Sequence, residues 1–385
     1  MKFQGYLRPD GKVGIRNYLA VIPTSVCAAT VAFHIASQIP QAVALANQHG
    51  CCQIGADHEQ TVNTLIGLGK NPNVGAVLVV GLGCEGVPIA KVAEEIAVSG
   101  KSVETIVIQD CGGTLKATAE GTRIASKMAR EIAQLKTQEF PVSELSLGVE
   151  CGGSDFTSGL ASNPAVGYAS DLLVQAGGTS MLSETTEFIG AEHVLARRAK
   201  SPELGEKIIQ FVRDCEQRAK QMHVDIRGSQ PTPGNIQGGI SSIEEKSLGC
   251  IHKAGHSPIQ GVLAYGETPQ GKGLFVMDTP GQDVESMTGM AAGGVTVMIF
   301  TTGRGTPTGF PLAPVIKITA NAETYSKMTD NIDVDASGII SGEKSIEEVG
   351  KEIFQEILEV ANGKMTKAES LGHREFGIYK IAPTF

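Results

Sequence analysis

Four turns in the chain set a cysteine beside an acid or an imidazole. They are HGCCQIGADH with His49, Cys51, Cys52, Asp57 and His58, GLGCEG with Cys84 and Glu85, QDCGG with Asp110 and Cys111, and ECGGSD with Glu150, Cys151 and Asp155. Thiolate, imidazole and carboxylate together are the donor set of iron or zinc. None of these turns has the CxxC spacing of a local zinc site, so a metal centre would have to be gathered from several of them. Taken one at a time, the same residues read as small buried thiols beside turn glycines.

A second group is basic and rich in hydroxyls. TTGRGTPTG follows the apolar run VTVMIF and places Arg304 between two glycines, flanked by Thr301, Thr302 and Thr306. Backbone N–H groups, hydroxyls and a guanidinium in one turn can hold a carboxylate or phosphate; the competing reading is a plain turn with a solvated arginine. ETTEFIGAEH offers Glu184, Glu187, Glu192 and His193, and Glu187 and Glu192 can face one site or complement a helix N-terminus. EEKSLGC brings Lys246 near Cys250. That lysine reads as a substrate clamp, as a base if burial lowers its pKa, or as a surface charge. GLGCEG invites a dinucleotide reading, but Glu85 in such a turn repels a pyrophosphate, and no GxxxxGK[ST] follows a strand.

These turns need elements to hold them. YLAVIP (18–23), VGAVLVVG (74–81) and VETIVIQ (103–109) are apolar, strand-like runs, each followed by a turn and a helical segment. Strands alternating with helices imply parallel sheets with ligands at their C-terminal edges. The polar stretch KTQEFPVSE (136–144) divides the chain into an N-terminal α/β domain, 1–140, and a C-terminal one, 141–385. The expected fold is α/β, two Rossmann-like units with mostly parallel sheets and Gly-rich strand-end loops. GSQPTPGNIQGGISS (228–242) reads as a long loop, and a terminal amphipathic helix is expected over 345–362.

The chain has 385 residues, of which 47 are Gly, and its 32 basic and 41 acidic residues leave a net charge of −9. That balance argues against nucleic acid or an anionic membrane as partner. The N-terminus has no apolar signal segment and no run is long enough for a spanning helix, so the expected location is the cytoplasm. Eight cysteines at this length are not a disulfide framework.

In this order the motifs GKVGIRN, PTSVC, GCCQIGADH, NPNVGAVLVVGLGCE, ECGGSDFTSGLASNP, GAEH, PTPGN, EEKSLGC, FTTGRGTPTG and PVIKI resemble the altronate and galactarate dehydratase family. The resemblance covers nearly the whole chain. It implies a lyase that uses divalent iron or manganese to dehydrate a small anionic hydroxy acid to a 2-keto-3-deoxy acid. A sister branch, similar to the large subunit of sulfolactate sulfo-lyase, eliminates sulfite instead. Single-chain members carry a small beta-clip domain ahead of the GYLRPDGKVGIRN motif with which this chain opens, so a separate small beta-clip subunit is an expected partner, in a homo-oligomer.

Carried onto this sequence, the family cysteines fall on Cys27, Cys51, Cys84, Cys151 and Cys250, leaving Cys52, Cys111 and Cys215 outside the pattern. The implied roles are metal ligation by Cys51, Cys84, Cys151 and His49, and substrate binding by Arg304, Thr301, Thr302, Ser154, Asp155 and Asn235. Acid–base chemistry would come from among Glu85, His58, Glu192 and Lys246. A mononuclear Fe2+ and an iron–sulfur cluster on three thiolates are both compatible with such donors. Asn47 stands where sugar-acid members tend to have His, and Ile236 where they tend to have Lys, which points to a changed substrate pocket. A non-catalytic, anion-binding scaffold is the remaining alternative.

Overall fold

The computed structural model describes residues 1–385, the side chain of Ser229 excepted. Two parallel sheets organise the chain. The first holds Ala42–Ala44, Tyr18–Pro23, Val74–Gly81 and Ser102–Val107 in that spatial order. The second runs Ile259–Leu263, Gly273–Met277, Thr179–Leu182, Ser146–Cys151, Val297–Thr301, Val315–Thr319 and Val334–Asp335, every neighbouring pair parallel. A small antiparallel ribbon joins Lys2–Leu7 to Val13–Gly14 and, across most of the first unit, to Gln138–Pro141. The α/β class with parallel sheets is therefore what the structure shows.

The reason lies in the strands themselves. Val77, Leu78, Val79 and Val80 are all fully buried, a continuous apolar run that is stable only when both sheet faces are covered. Val26–Ala36 and Thr114–Ile132 pack on one face, against Leu19, Val21, Leu78 and Val80. Gly55–Lys70 and Ile89–Ala97 cover the other. This second layer is also the seam with the larger unit, because Met181, Phe275, Met277, Met298 and Phe300 belong to the same apolar cluster. Asn73, fully buried, fastens the seam: its Nδ2 donates to the Thr296 and Leu312 carbonyls at 2.8 Å, while its Oδ1 accepts from Ile15 and Arg16 N–H.

In each sheet there is a place where the connections from two adjacent strands leave to opposite sides. In the first sheet this lies between Tyr18–Pro23 and Val74–Gly81, and in the second between Ser146–Cys151 and Val297–Thr301. The crevice outside the C-terminal ends of strands at such a point is where α/β sheets bind ligands. The turns that follow these four strands are TSVC, GLGCEG, CGGSD and TGRG.

Local structure departs from the sequence reading in two places. Cys111 lies in a short helix, Ile108–Cys111, because the strand ends at Val107 and Gln109 N–H turns back onto the Leu82 carbonyl. The long loop is broken by a helix over Pro233–Gln237, whose Thr232 and Asn235 side chains form a reciprocal cap. The terminal helix spans Ile346–Ala361, with Ser345 and Glu348 forming a capping box. Among the described residues no helix is long and apolar enough to cross a membrane.

Candidate functional site

The structure sorts the candidate residues into two groups, one at each of these places. In the first unit, Cys27, Cys51 and Cys84 are all exposed. Their turns meet at Gly50. Its carbonyl accepts from Gly86 and Val87 N–H at 3.0 and 3.1 Å, and its Cα packs so tightly on Thr24 and Ser25 that a Cβ would overlap the Thr24 carbonyl oxygen. Gly50 also has φ +101°, which only glycine adopts freely.

The acids and imidazoles of this unit are already engaged. Glu85 accepts from Leu82 and Gly83 N–H at 2.7 and 2.6 Å and from the Thr24 hydroxyl. Burial works against its charge, but these bonds prevail and hold its pKa below the usual carboxylate value. Although GLGCEG has the G-x-G-x-x-G spacing, Glu85 thus takes two N–H groups of that turn for itself. His58 Nε2 lies 3.0 Å from the Gly86 carbonyl. His49, half-buried, lines a cleft of about 590 Å3 between the units, together with Gln282 and Glu285 of the second unit and Arg374.

The second group is buried and denser. Cys151 ends its strand with Sγ 3.6 Å from Cys250 Sγ. Lys253, with no exposed surface, donates from Nζ to Cys250 Sγ at 2.6 Å and to Glu184 Oε2 at 2.7 Å. The Cys250 hydrogen bond lowers the Cys151 thiol against the effect of burial, helped by the Lys253 charge, while burial pushes Cys250 well up. Burial also opposes the Lys253 charge, but Cys151, Cys250, Glu184 and Glu150 together hold it protonated. Glu150 is driven well above the carboxylate range by burial and by Glu184, so it keeps its proton and accepts from Ser286 at 2.8 Å. Asp283 is raised to about 7, first by burial and then by Glu184 and Glu187.

Lys246 pairs with Glu187 at 2.8 Å. Burial alone would lower its pKa, but Glu187 wins and raises it, so Lys246 is an ammonium rather than a free base. Glu192 stands apart from Glu187 and caps the Gly190 N–H at 2.6 Å. Lys246, Cys250, Ser154 and Asp155 line a cavity of about 220 Å3. Asp155 also lines the adjoining groove of about 620 Å3, with Arg304, Asn321 and Lys327.

Several expected binding residues also shape these walls. Asp155 Oδ1 accepts from the backbone N–H groups of Thr157 and Ser158, and its Oδ2 accepts from Asn321. Asn235 donates to the Ser154 carbonyl, Thr301 to Asn163 Oδ1, and the Thr302 hydroxyl accepts from Gly305 N–H. Arg304 is exposed, and a Cβ on Gly153 would lie 3.5 Å from it.

The expected metal set is therefore divided: Cys51, Cys84 and His49 belong to one unit, Cys151 to the other. Among the described residues, two trios of donor atoms lie within 4.8 Å of one another, Cys151–Glu184–Cys250 and Glu150–Glu184–Asp283. Sequence reasoning passed over Lys253 and Asp283. The signal for Lys253 was its spacing of three from Cys250 along a helical stretch; Asp283 left none.

Residues 142–384 match the family model described as D-galactarate/Altronate dehydratase, C-terminal, and residues 5–133 match D-galactarate dehydratase/Altronate hydrolase, second domain. The chain is 40% identical over 381 residues to (2R)-sulfolactate sulfo-lyase subunit beta of Chromohalobacter salexigens, covering 98% of this chain and 97% of that protein. It is 36% identical to the altronate dehydratase of Bacillus subtilis, over 99% of this chain and 78% of that one. Identity to the galactarate dehydratase (L-threo-forming) of Escherichia coli is also 36%, over 99% of this chain and 77% of that one.

Proposed function

The chain belongs to the D-galactarate/altronate dehydratase family and is a lyase, and from that premise we propose that it eliminates the 3-substituent of a 2-hydroxy acid to leave a 2-keto acid. The observation that carries this reading is the groove and cavity sharing Asp155, which put Arg304 and Lys327 on one side and Lys246 on the other. Taking the α-proton of a hydroxy acid creates a dianionic aci-carboxylate, which is costly unless fixed cations and N–H donors hold it. Arg304 and its turn fit the carboxylate. Of the four acid–base candidates, Lys246 is the one in the cavity wall; as an ammonium it stabilises the enediolate or protonates the departing group, and Glu187 holds its charge.

The family implies divalent iron or manganese. The buried trio Cys151–Glu184–Cys250 does not suit such an ion, since the Lys253 ammonium already touches two of its three donors. The exposed thiols of Cys51 and Cys84 do suit it, and favour iron over the harder manganese. When bound, iron supplies Lewis-acid polarisation of a substrate oxygen. His49 and Gln282 line the cleft where the two units adjoin.

Sulfite is the leaving group we favour over water. Its support is the relative named as a sulfo-lyase subunit, matched over 97% of its length, and Asn47 and Ile236 at positions where sugar-acid members tend to carry His and Lys. The same name supports a second subunit and work as an assembly, the resemblance implies that this subunit is the small beta-clip protein, and the metabolic kind of the relatives supports a cytoplasmic location. The test is to assay the chain with that partner and Fe2+, under anaerobic conditions, against sulfolactate, altronate and galactarate. Pyruvate with sulfite is expected from the first; turnover of altronate or galactarate alone selects dehydration, and turnover of none overturns the reading.

A further inference from the structure

We propose that Cys250 and Lys253 form a covalent modification site, in which one oxygen atom taken from dioxygen joins the sulfur to the side-chain nitrogen as an S–O–N bridge. The inference concerns the buried cluster of the larger unit and holds whichever acid the chain acts on. Lys253 Nζ lies 2.6 Å from Cys250 Sγ and 2.7 Å from Glu184 Oε2. Charged N–H groups stand about 2.7–2.9 Å from oxygen, and sulfur, the larger atom, ordinarily lies farther out. Here it lies nearer. Cys250 belongs to the helix Ile243–Ile251 and Lys253 to the turn His252–Ala254 that continues it, so the two are presented three residues apart on one face.

Burial keeps the pair together while leaving a route in. Lys253 has no exposed surface and Cys250 is 2% exposed, yet Cys250 lines the cavity of about 220 Å3 whose wall also holds the exposed Phe156, Leu160 and Leu248. An apolar mouth of this kind admits a small apolar gas more readily than a charged reagent. In the reaction the O–O bond breaks: one oxygen forms the S–O and O–N bonds, and the other leaves as water. Sulfur and nitrogen each give up two electrons, and dioxygen takes all four. The ammonium passes one proton to Glu184 Oε2 and another, with the thiol proton, to the water, so the ion pair becomes a neutral pair and no charge is stranded. A Cys151–Cys250 disulfide is the rival product. It requires the two sulfurs to close from 3.6 Å to about 2.05 Å, whereas an oxygen inserted between Nζ and Sγ requires no closure.

The experiment exposes the full chain to air, with a portion kept anaerobic, then denatures it with an alkylating reagent and digests it with trypsin for mass spectrometry. The expected product in air is the peptide 247–272, uncut after Lys253, with Cys250 not alkylated and a mass raised by one oxygen less two hydrogens. Oxygen-18 gas should add its label, and dithiothreitol should restore both cleavage and alkylation. Loss of two hydrogens without oxygen is a disulfide or a direct S–N bond and overturns the bridge. Oxygen on Cys250 with normal cleavage at Lys253 overturns it too, as does a Cys250 that stays fully alkylated in air. Cys151→Ser should retain the modified peptide and Cys250→Ser should lose it. The unaltered chain decides the question if either variant fails to fold.

Discussion

Lys253 is the residue on which the larger unit's buried site depends. It sits with no exposed surface between Glu184 and Cys250, so its removal strands a buried carboxylate. Lys253→Met is expected to destabilise the chain by about 3–5 kcal/mol, read from urea unfolding midpoints, because losing one partner of a buried pair leaves an uncompensated charge. Asp283 works in the opposite sense. Its carboxyl is held near 7 in the folded chain against 3.8 as its ordinary value. Between those values the folded chain binds the extra proton, so this group's contribution to stability falls as pH rises from about 4 to 7 and then levels off. Asp283→Asn should flatten that decline, and thermal midpoints measured from pH 4.5 to 8 check it; an unchanged slope refutes the assignment. The thiol–acid turns were legible because Cys and Glu beside Gly are conspicuous in a sequence. Lys253 carried only the weak signal of its spacing from Cys250, since a lysine in HKAG otherwise looks like any surface lysine until tertiary packing closes over it.

At the scale of elements, Gly50 clamps the first unit's loops together. Any side chain there meets the Thr24 carbonyl, and φ of +101° adds strain for any other residue. Gly50→Ala is expected to cost about 1–3 kcal/mol and to loosen the Cys51 loop, seen as faster labelling of Cys51 by a thiol reagent. The parallel strands were readable from continuous apolar runs such as VGAVLVVG, and the terminal helix from its period and its Ser345 cap. The helix at Pro233–Gln237 was hidden, because proline and glycine dominate its sequence and only the Thr232–Asn235 cap gives it away. Which turns would meet was also beyond reading: Gly50 against Thr24 and Gly86 is a long-range contact with no local periodicity.

Across the whole molecule, the shared apolar layer and the Asn73 fastening make the two units one cooperative body. Asn73→Ala strips partners from two N–H groups and two carbonyls at the seam, an expected loss of about 4 kcal/mol. Calorimetry should show a single transition in both proteins, at lower temperature in the variant; two separated transitions would refute the shared core. The order of the strands in space has a further consequence, for synthesis. Lys2–Leu7 has no partner on one side until residues 138–141 exist, and Ser146–Cys151 keeps an open edge until Val297–Thr301 has left the ribosome. Residues 152–296, over a third of the chain, are therefore made while one edge of the apolar strand Ser146–Cys151 waits for its neighbour, a state prone to sticking to other nascent chains. Weaker induction, which starts fewer chains at a time, lowers the concentration of that waiting intermediate, so the yield of soluble protein depends on the rate of synthesis as well as on final stability.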